Sequence, residues 1–312
     1  MSAYRNGGLF LLLSILWGTA FMAIKAGLAY VPPVLFAGLR YDVAGVIMVG
    51  YAAYATDNWR LRSRTDWATV AVGSVLIIAL YNAFLFVGQQ GVTSGVAAIL
   101  VALNPILATG FSRVFLPDER LTATGLVGLL FGIVGVALVA RPDPSNLLTN
   151  DSVAAGFVLL AAVCVALGSV LVQRIDGDIS TEGMVAWSNA LGAVLLHLVS
   201  AGLPSESMNS VTVSPGAAVA VLYLAVFASA IGCFIYFDLL DRLGAIEVNL
   251  VSYAAPIFAA VSGWLVLEET LDPPSIVGFV AIFSGFLLLK RDAVREELPI
   301  PGWARFRRHD ER

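Results

Sequence analysis

Two stretches decide the fold. Residues 104–143 read NPILATGFSRVFLPDERLTATGLVGLLFGIVGVALVARPD, and residues 255–292 read APIFAAVSGWLVLEETLDPPSIVGFVAIFSGFLLLKRD. Pro105 answers Pro256, each inside a long apolar segment. Glu119-Arg120-Leu121 answers Glu269-Thr270-Leu271. From there the register holds: Gly128 with Gly278, Gly135 with Gly285, Arg141 with Arg291. A repeat of this length outranks any local motif. In a chain this apolar it is the pattern of carriers built from two related halves.

Working outward, the 312 residues are 59% apolar and only 13% charged, with a mean hydropathy of +0.86. Soluble domains carry about 25% charged residues. The chain therefore reads as an all-α integral membrane protein, with the lipid bilayer as its solvent. Ten segments are long and apolar enough to span it: about 7–29, 34–55, 66–88, 92–115, 122–140, 153–174, 182–201, 215–240, 245–267 and 274–290. The first is read as a retained helix and not a cleaved signal, because its apolar run is long and further spans follow at once. Gln89-Gln90-Gly91 alone separates the third from the fourth. Of the prolines, Pro105 and Pro256 fall within spans and the others punctuate linkers. The reading divides the chain into a five-helix repeat at 1–143, a linker at 144–152, a second repeat at 153–291 and a polar tail at 292–312.

Loop charge sets the orientation. With the N-terminus inside, Arg5, Arg60, Arg62, Arg64, Arg113, Arg120, Arg174, Arg242, Lys290 and the arginines of the tail are all cytoplasmic. Arg141 is left outside. Both termini are then cytoplasmic. Because five is odd, the second repeat enters the membrane from the opposite side: the halves are inverted. The tail cluster Arg305, Arg307 and Arg308, with Trp303 and Phe306, reads as an orientation signal, with contact to anionic lipid as the alternative.

The residues resemble a known family. Leu16-Trp17-Gly18-Thr19-Ala20-Phe21 followed by Lys25, Arg40 near the start of the second span, Asn104-Pro105 in the fourth and Glu119-Arg120-Leu121-Thr122 before the fifth are similar to the drug/metabolite transporter superfamily in its EamA-like branch. The likeness extends to about residue 291. Leu167-Gly168 stands where the first half has Trp17-Gly18, so that motif is degenerate in the second half. The resemblance implies a secondary carrier, often an exporter of amino acids or other small metabolites, with a cavity between the halves. It fixes no substrate.

Proline inside a helix removes a backbone hydrogen bond and crowds the preceding turn, at a cost of about 3 kcal/mol. Pro105 and Pro256 are therefore expected to bend the fourth and ninth helices around a transport path, against the alternative of tolerated kinks. Asn104 either meets substrate or caps the carbonyl freed by Pro105. Asn249 and Tyr253 share a face with Pro256. Trp17, Tyr81, Asn82, Trp187, Asn189 and Tyr236 complete the cavity candidates, since rings with a few amides suit an amphipathic small molecule. Packing or an interfacial belt is the alternative for each ring. Glu247 and His197 are the proton-coupling candidates. A dipole-favoured first-turn acid and a hydrogen-bonded packing histidine are their plainer readings.

Lys25 and Arg40 attract an anion or fix the outer mouth, and the structural reading is preferred. Asp42 should point away from Arg40. Glu119 and Glu269 should complement the helices that follow them. Gly125, Gly128, Gly132, Gly135, Gly278 and Gly285 assign the fifth and tenth helices to packing, within the chain or in a homodimer. Cys164 and Cys233 lie in apolar segments and suggest no disulfide framework. The sequence calls for no catalytic group, cofactor, metal cluster, phosphate loop or nucleic-acid footprint.

Overall fold

The computed structural model describes residues 2–115, 123–140, 149–175, 177–206, 210–243, 248 and 250–289. Glu119, Glu247, Asn249, most of the 144–152 linker and the 292–312 tail lie outside them. The described chain is helical throughout: α1 (Ser2–Gly27), α2 (Pro33–Ala55), α3 (Arg64–Gly88), α4 (Ser94–Phe115), α5 (Ala123–Ala140), α6 (Asn150–Ile175), α7 (Thr181–Gly202), α8 (Pro215–Leu243), α9 (Val251–Leu267) and α10 (Pro273–Leu289). Seven of them are long and apolar enough to cross a membrane. The described parts of α5, α9 and α10 are shorter apolar helices. Leu130, Ile133 and Val134 of α5 and Val277 and Val280 of α10 stay exposed, an apolar exterior suited to lipid.

Which helices touch reveals the symmetry. α1 packs on α9, and α6 packs on α4. α3 packs on α6 and α7, and α8 packs on α1 and α2. Advancing each label by five exchanges the members of each pair of statements. Three further contacts, α2 with α7, α4 with α9 and α5 with α10, map onto themselves.

The α5–α10 contact gives the direction. A Cβ added at Gly135 would sit 2.6 Å from the Gly278 carbonyl oxygen, and one at Gly278 would sit 2.6 Å from that of Gly135. Gly285 lies against the Gly128 carbonyl in the same way. Residue numbers rise on one helix as they fall on the other, so equivalent helices run antiparallel. The halves are inverted, and the glycines let backbones meet where any side chain would hold them apart.

Two spans depart from regular α-helix at matching places. Residues Gly73–Leu80 of α3 and Tyr223–Ile231 of α8 are π-helical and begin 150 residues apart. Tyr81 N–H donates to the Leu76 carbonyl and Gly232 N–H to the Phe227 carbonyl, each five residues back. Such widened turns are rare and concentrate at functional sites.

The prolines differ from the expectation and from each other. α4 is interrupted at Ala102–Leu103, and Pro105 lies in the first turn of its second piece, Asn104–Phe115. A proline there loses little, because first-turn N–H groups have no intrahelical acceptor. Pro105 is thus a helix restart and not a kink within a continuous helix. Pro256 does lie inside α9.

Helix ends on each face are tied by polar groups, several of which cross between the halves. α2 begins Pro32-Pro33, which offers no capping side chain, and Glu206 from the α7–α8 loop accepts from Val34 N–H and Leu35 N–H, each at 2.8 Å. Glu269, expected to serve α10, instead accepts from Ser94 N–H at the start of α4 (2.9 Å). Lys25 at the end of α1 donates to the carbonyls of Gln89, Gln90 and Val92 at 2.9–3.0 Å. On the opposite face Asp66 closes a capping box with Ser63 and also accepts from Ile179 N–H ahead of α7 (3.2 Å).

Candidate functional site

A cavity of about 360 Å³ lies in the middle of the bundle. Its wall draws on α1, α2, α3, α4, α6, α7, α8 and α9, and on neither α5 nor α10. This is the division of labour that the glycine spacing suggested.

The two prolines act on this wall. Pro256 lacks the N–H that would bond the Ser252 carbonyl four residues earlier, and Pro105 restarts α4 just past the Ala102–Leu103 break. Ser252, and Val101 and Ala102 beside that break, line the cavity. The π-helical turns reach it too, through Gly73, Ile77 and Ile78 on one side and Ala228 and Ser229 on the other. Irregular backbone at membrane depth is tolerated where it faces protein or a polar cavity. Here four irregular segments converge on one.

Trp17 Nε1 donates to the Ala228 carbonyl in the α8 π-turn (3.2 Å), and its ring stacks on Tyr236 at 5.6 Å. Arg40 Nε donates to Ser229 Oγ at 3.1 Å, and the guanidinium lies over the Tyr41 ring at 4.9 Å. Asn82, fully buried, donates through Nδ2 to the Tyr41 hydroxyl (3.2 Å) and to the Ile78 carbonyl (2.8 Å). Asn104 Oδ1 and Ser188 Oγ are buried in the wall and meet no partner. Such orphans in a native core call for a ligand or water to complete them.

Of the sequence candidates, Trp17, Tyr81, Asn104 and Asn189 line the cavity. Asn82 and Tyr236 stand behind the wall and hold Tyr41 and Trp17. Trp187 lies elsewhere: it stacks on Trp59 at 6.2 Å and donates to the Trp59 carbonyl (3.0 Å), sealing the end of the bundle where α7 starts. Tyr253 is turned away into α10, against Phe283 and Phe286 at 5.3 and 4.7 Å. His197 Nε2 lies 2.8 Å from an Asp42 carboxylate oxygen, half exposed between α7 and α2 and outside the wall. Asp42 thus points away from Arg40. Glu247 and Asn249 lie outside the described residues.

The sequence reading passed over Arg40 as structural and missed Tyr41, Ser229 and Ser252. Arg40 carried a signal: a cation two turns into a span. Asp42 two positions on obscured it by suggesting a local ion pair.

A one-sided charge, several hydroxyls and amides, and aromatic walls can bind a small amphipathic molecule. Among the described residues no carboxylate lines this cavity, and no cluster of His, Cys, Asp or Glu could hold a metal. The comparisons agree with this geometry. The chain is 29% identical over 285 residues to a Bacillus subtilis protein named Uncharacterized transporter YvbV, covering 91% of each. It is 27% identical over 268 residues to Uncharacterized inner membrane transporter YedA of Escherichia coli strain K12, covering 85% of this chain and 84% of that one. A crystal structure superposes with a TM-score of 0.65 at 22% identity, covering 95% of this chain and 99% of the other, which bears on fold alone. The model of the EamA-like transporter family matches twice, over residues 7–141 and 152–291, one match to each five-helix half, and the chain belongs to that family.

Proposed function

We propose that the chain is a secondary active carrier of the cell membrane that exports a small organic metabolite by alternating access through the central cavity. One observation carries the reading: a central cavity whose wall is shared by both inverted halves and excludes the helix pair α5–α10. Inverted repeats with a site at their interface can rock about it and face either side in turn. The interrupted α4, the proline of α9 and the two π-turns supply compliant backbone at that wall. The repeat boundaries at 1–143 and 153–291 and the cytoplasmic placement of both termini belong to the same proposal. The paucity of acids and bases at the cavity argues against an enzyme.

Counterflow tests this. Purified protein in liposomes preloaded with a metabolite should accumulate the labelled compound transiently, for at least one member of a broad panel, and flux in right-side-out and inverted vesicles reports direction. Absence of counterflow across the panel removes the carrier reading.

A further inference from the structure

Arg40 differs from the other charges in the bundle. Lys25 spends all three of its N–H groups on the carbonyls of Gln89, Gln90 and Val92. Glu206 accepts two backbone N–H groups and the Ser200 hydroxyl, and Asp42 faces His197. Arg40 spends one N–H of five, on the neutral Ser229 hydroxyl. No carboxylate lies within 4.0 Å of it among the described residues, and it is the only charged side chain in the cavity wall there. Guanidinium stays protonated in proteins, so the cavity carries a standing positive charge. A charge at membrane depth is costly unless it is paired, and an intramembrane ionisable group marks a substrate path by default. Its planar fork of donors fits the two oxygens of a carboxylate.

We propose that the central cavity is a carboxylate site, in which Arg40 binds the acid group of a monoanionic organic acid with an apolar body. This rests on the cavity's being the transport site. One cationic group balances one negative charge; a dianion would leave a net charge in hydrocarbon. The remaining wall is set by Trp17, Phe21, Ile77, Tyr81 and Val101, which suits an aromatic or branched aliphatic body. Asn104 Oδ1 and Ser188 Oγ, both unpartnered acceptors, accept from a hydroxyl or amine on the ligand. Neither is charged and no carboxylate joins them among the described residues, so the site does not require an ammonium group. The acid is the recognised feature, and an amine is optional.

The experiment measures binding before flux. The purified full chain is titrated with hydrocinnamate, its primary amide and the matching amine, reading thermal stabilisation and calorimetric heat. The acid should bind, and the amide and amine should bind about 10- to 100-fold more weakly, the loss of hydrogen bonds to a charged group. Arg40→Gln should erase the preference for the acid, while Arg40→Lys, which keeps the charge but loses the fork, should retain it at lower affinity. Equal binding of acid and amide by the parent chain, or no acid bound in a panel of apolar monocarboxylates, overturns the proposal without recourse to any variant. Acid binding without counterflow leaves the carboxylate site standing and removes the carrier reading alone.

Discussion

Glu206 offers the sharpest stability test, because its work can be counted. It sits 8% exposed and receives N–H bonds from Val34 and Leu35 at 2.8 Å and from the Ser200 hydroxyl at 3.1 Å. Those two backbone groups belong to the second and third residues of α2, the pair a capping side chain normally serves. Glu206→Ala uncovers both in a place water reaches poorly. Hydrogen bonds to a charged group contribute about 1.5–3 kcal/mol each, and the helix dipole adds a further fraction. Because such terms share one carboxylate and do not add, the net loss should be about 3 kcal/mol. At about 2 °C per kcal/mol for a chain of this size, the melting temperature in detergent should fall by roughly 6 °C. Glu206→Gln keeps one acceptor oxygen and should fall about half as far. Ser200→Ala should cost about 1 kcal/mol in the parent and almost nothing in the Glu206→Ala background. An alanine variant melting within about 1 °C of the parent, or a glutamine variant as weak as alanine, would refute the capping argument.

Three further outcomes are expected. Gly135→Leu places a side chain where even a Cβ meets the Gly278 carbonyl at 2.6 Å, so it should separate α5 from α10 and cost about 3 kcal/mol or more, read as lost monodispersity on size exclusion; a normal profile and melt would show that the interface yields. Pro256→Ala restores an N–H aimed at the Ser252 carbonyl, so turnover in liposomes should drop at least about threefold with the melting temperature unchanged or raised; unchanged turnover would make Pro256 a packing residue. His197→Gln should leave any response of flux to an imposed pH gradient intact, because the ring faces Asp42 and not the cavity; loss of that response would put proton coupling on the His197–Asp42 pair.

The architecture was legible because it depends on residue type and spacing alone. Apolar length gave the spans, and the repeat of Pro105 with Pro256 and of Gly128 and Gly135 with Gly278 and Gly285 gave the two halves. The glycines even named the right packing helices, since close backbone approach admits only small residues. Direction was the part that charge counting supplied, and the antiparallel α5–α10 contact agrees with it. The wall was read less well, for a geometric reason. A span shows its neighbours several faces, and a polar ring at mid-depth can point to cavity, core or lipid with the same local sequence. Tyr81 and Tyr253 look alike in the chain, yet one lines the cavity and the other packs on Phe283 and Phe286. Trp187 and Asn189 are two residues apart and serve opposite ends of that choice. Long-range capping was invisible for a related reason. Glu206 and Val34 are brought together only by the packing of α2 on α7.

The distribution of made and missing bonds bears on how such a bundle can move. Glu206, Glu269 and Lys25 tie the ends of α2, α4 and α1, which topology places on one face. Asp66 with Ile179, Trp187 with Trp59, and Arg5 with Asp238 tie the start of α3, α7 and α1 to their neighbours on the other. Between the two sets, at cavity depth, α4 is broken at Ala102–Leu103, Ser252 lacks its i+4 donor and two π-turns interrupt regular helix. Opening the Glu206 face by rigid tilting of whole helices would break several charge-assisted bonds at once, at a cost of about 1.5–3 kcal/mol each. Bending at mid-depth sacrifices less, because Ser252 already lacks its i+4 donor and the π-turns have left the regular i+4 ladder. Opening one face while the middle flexes leaves the caps of the other face intact, so the two faces need never be released together. That is the energetic condition that the proposed alternating access requires.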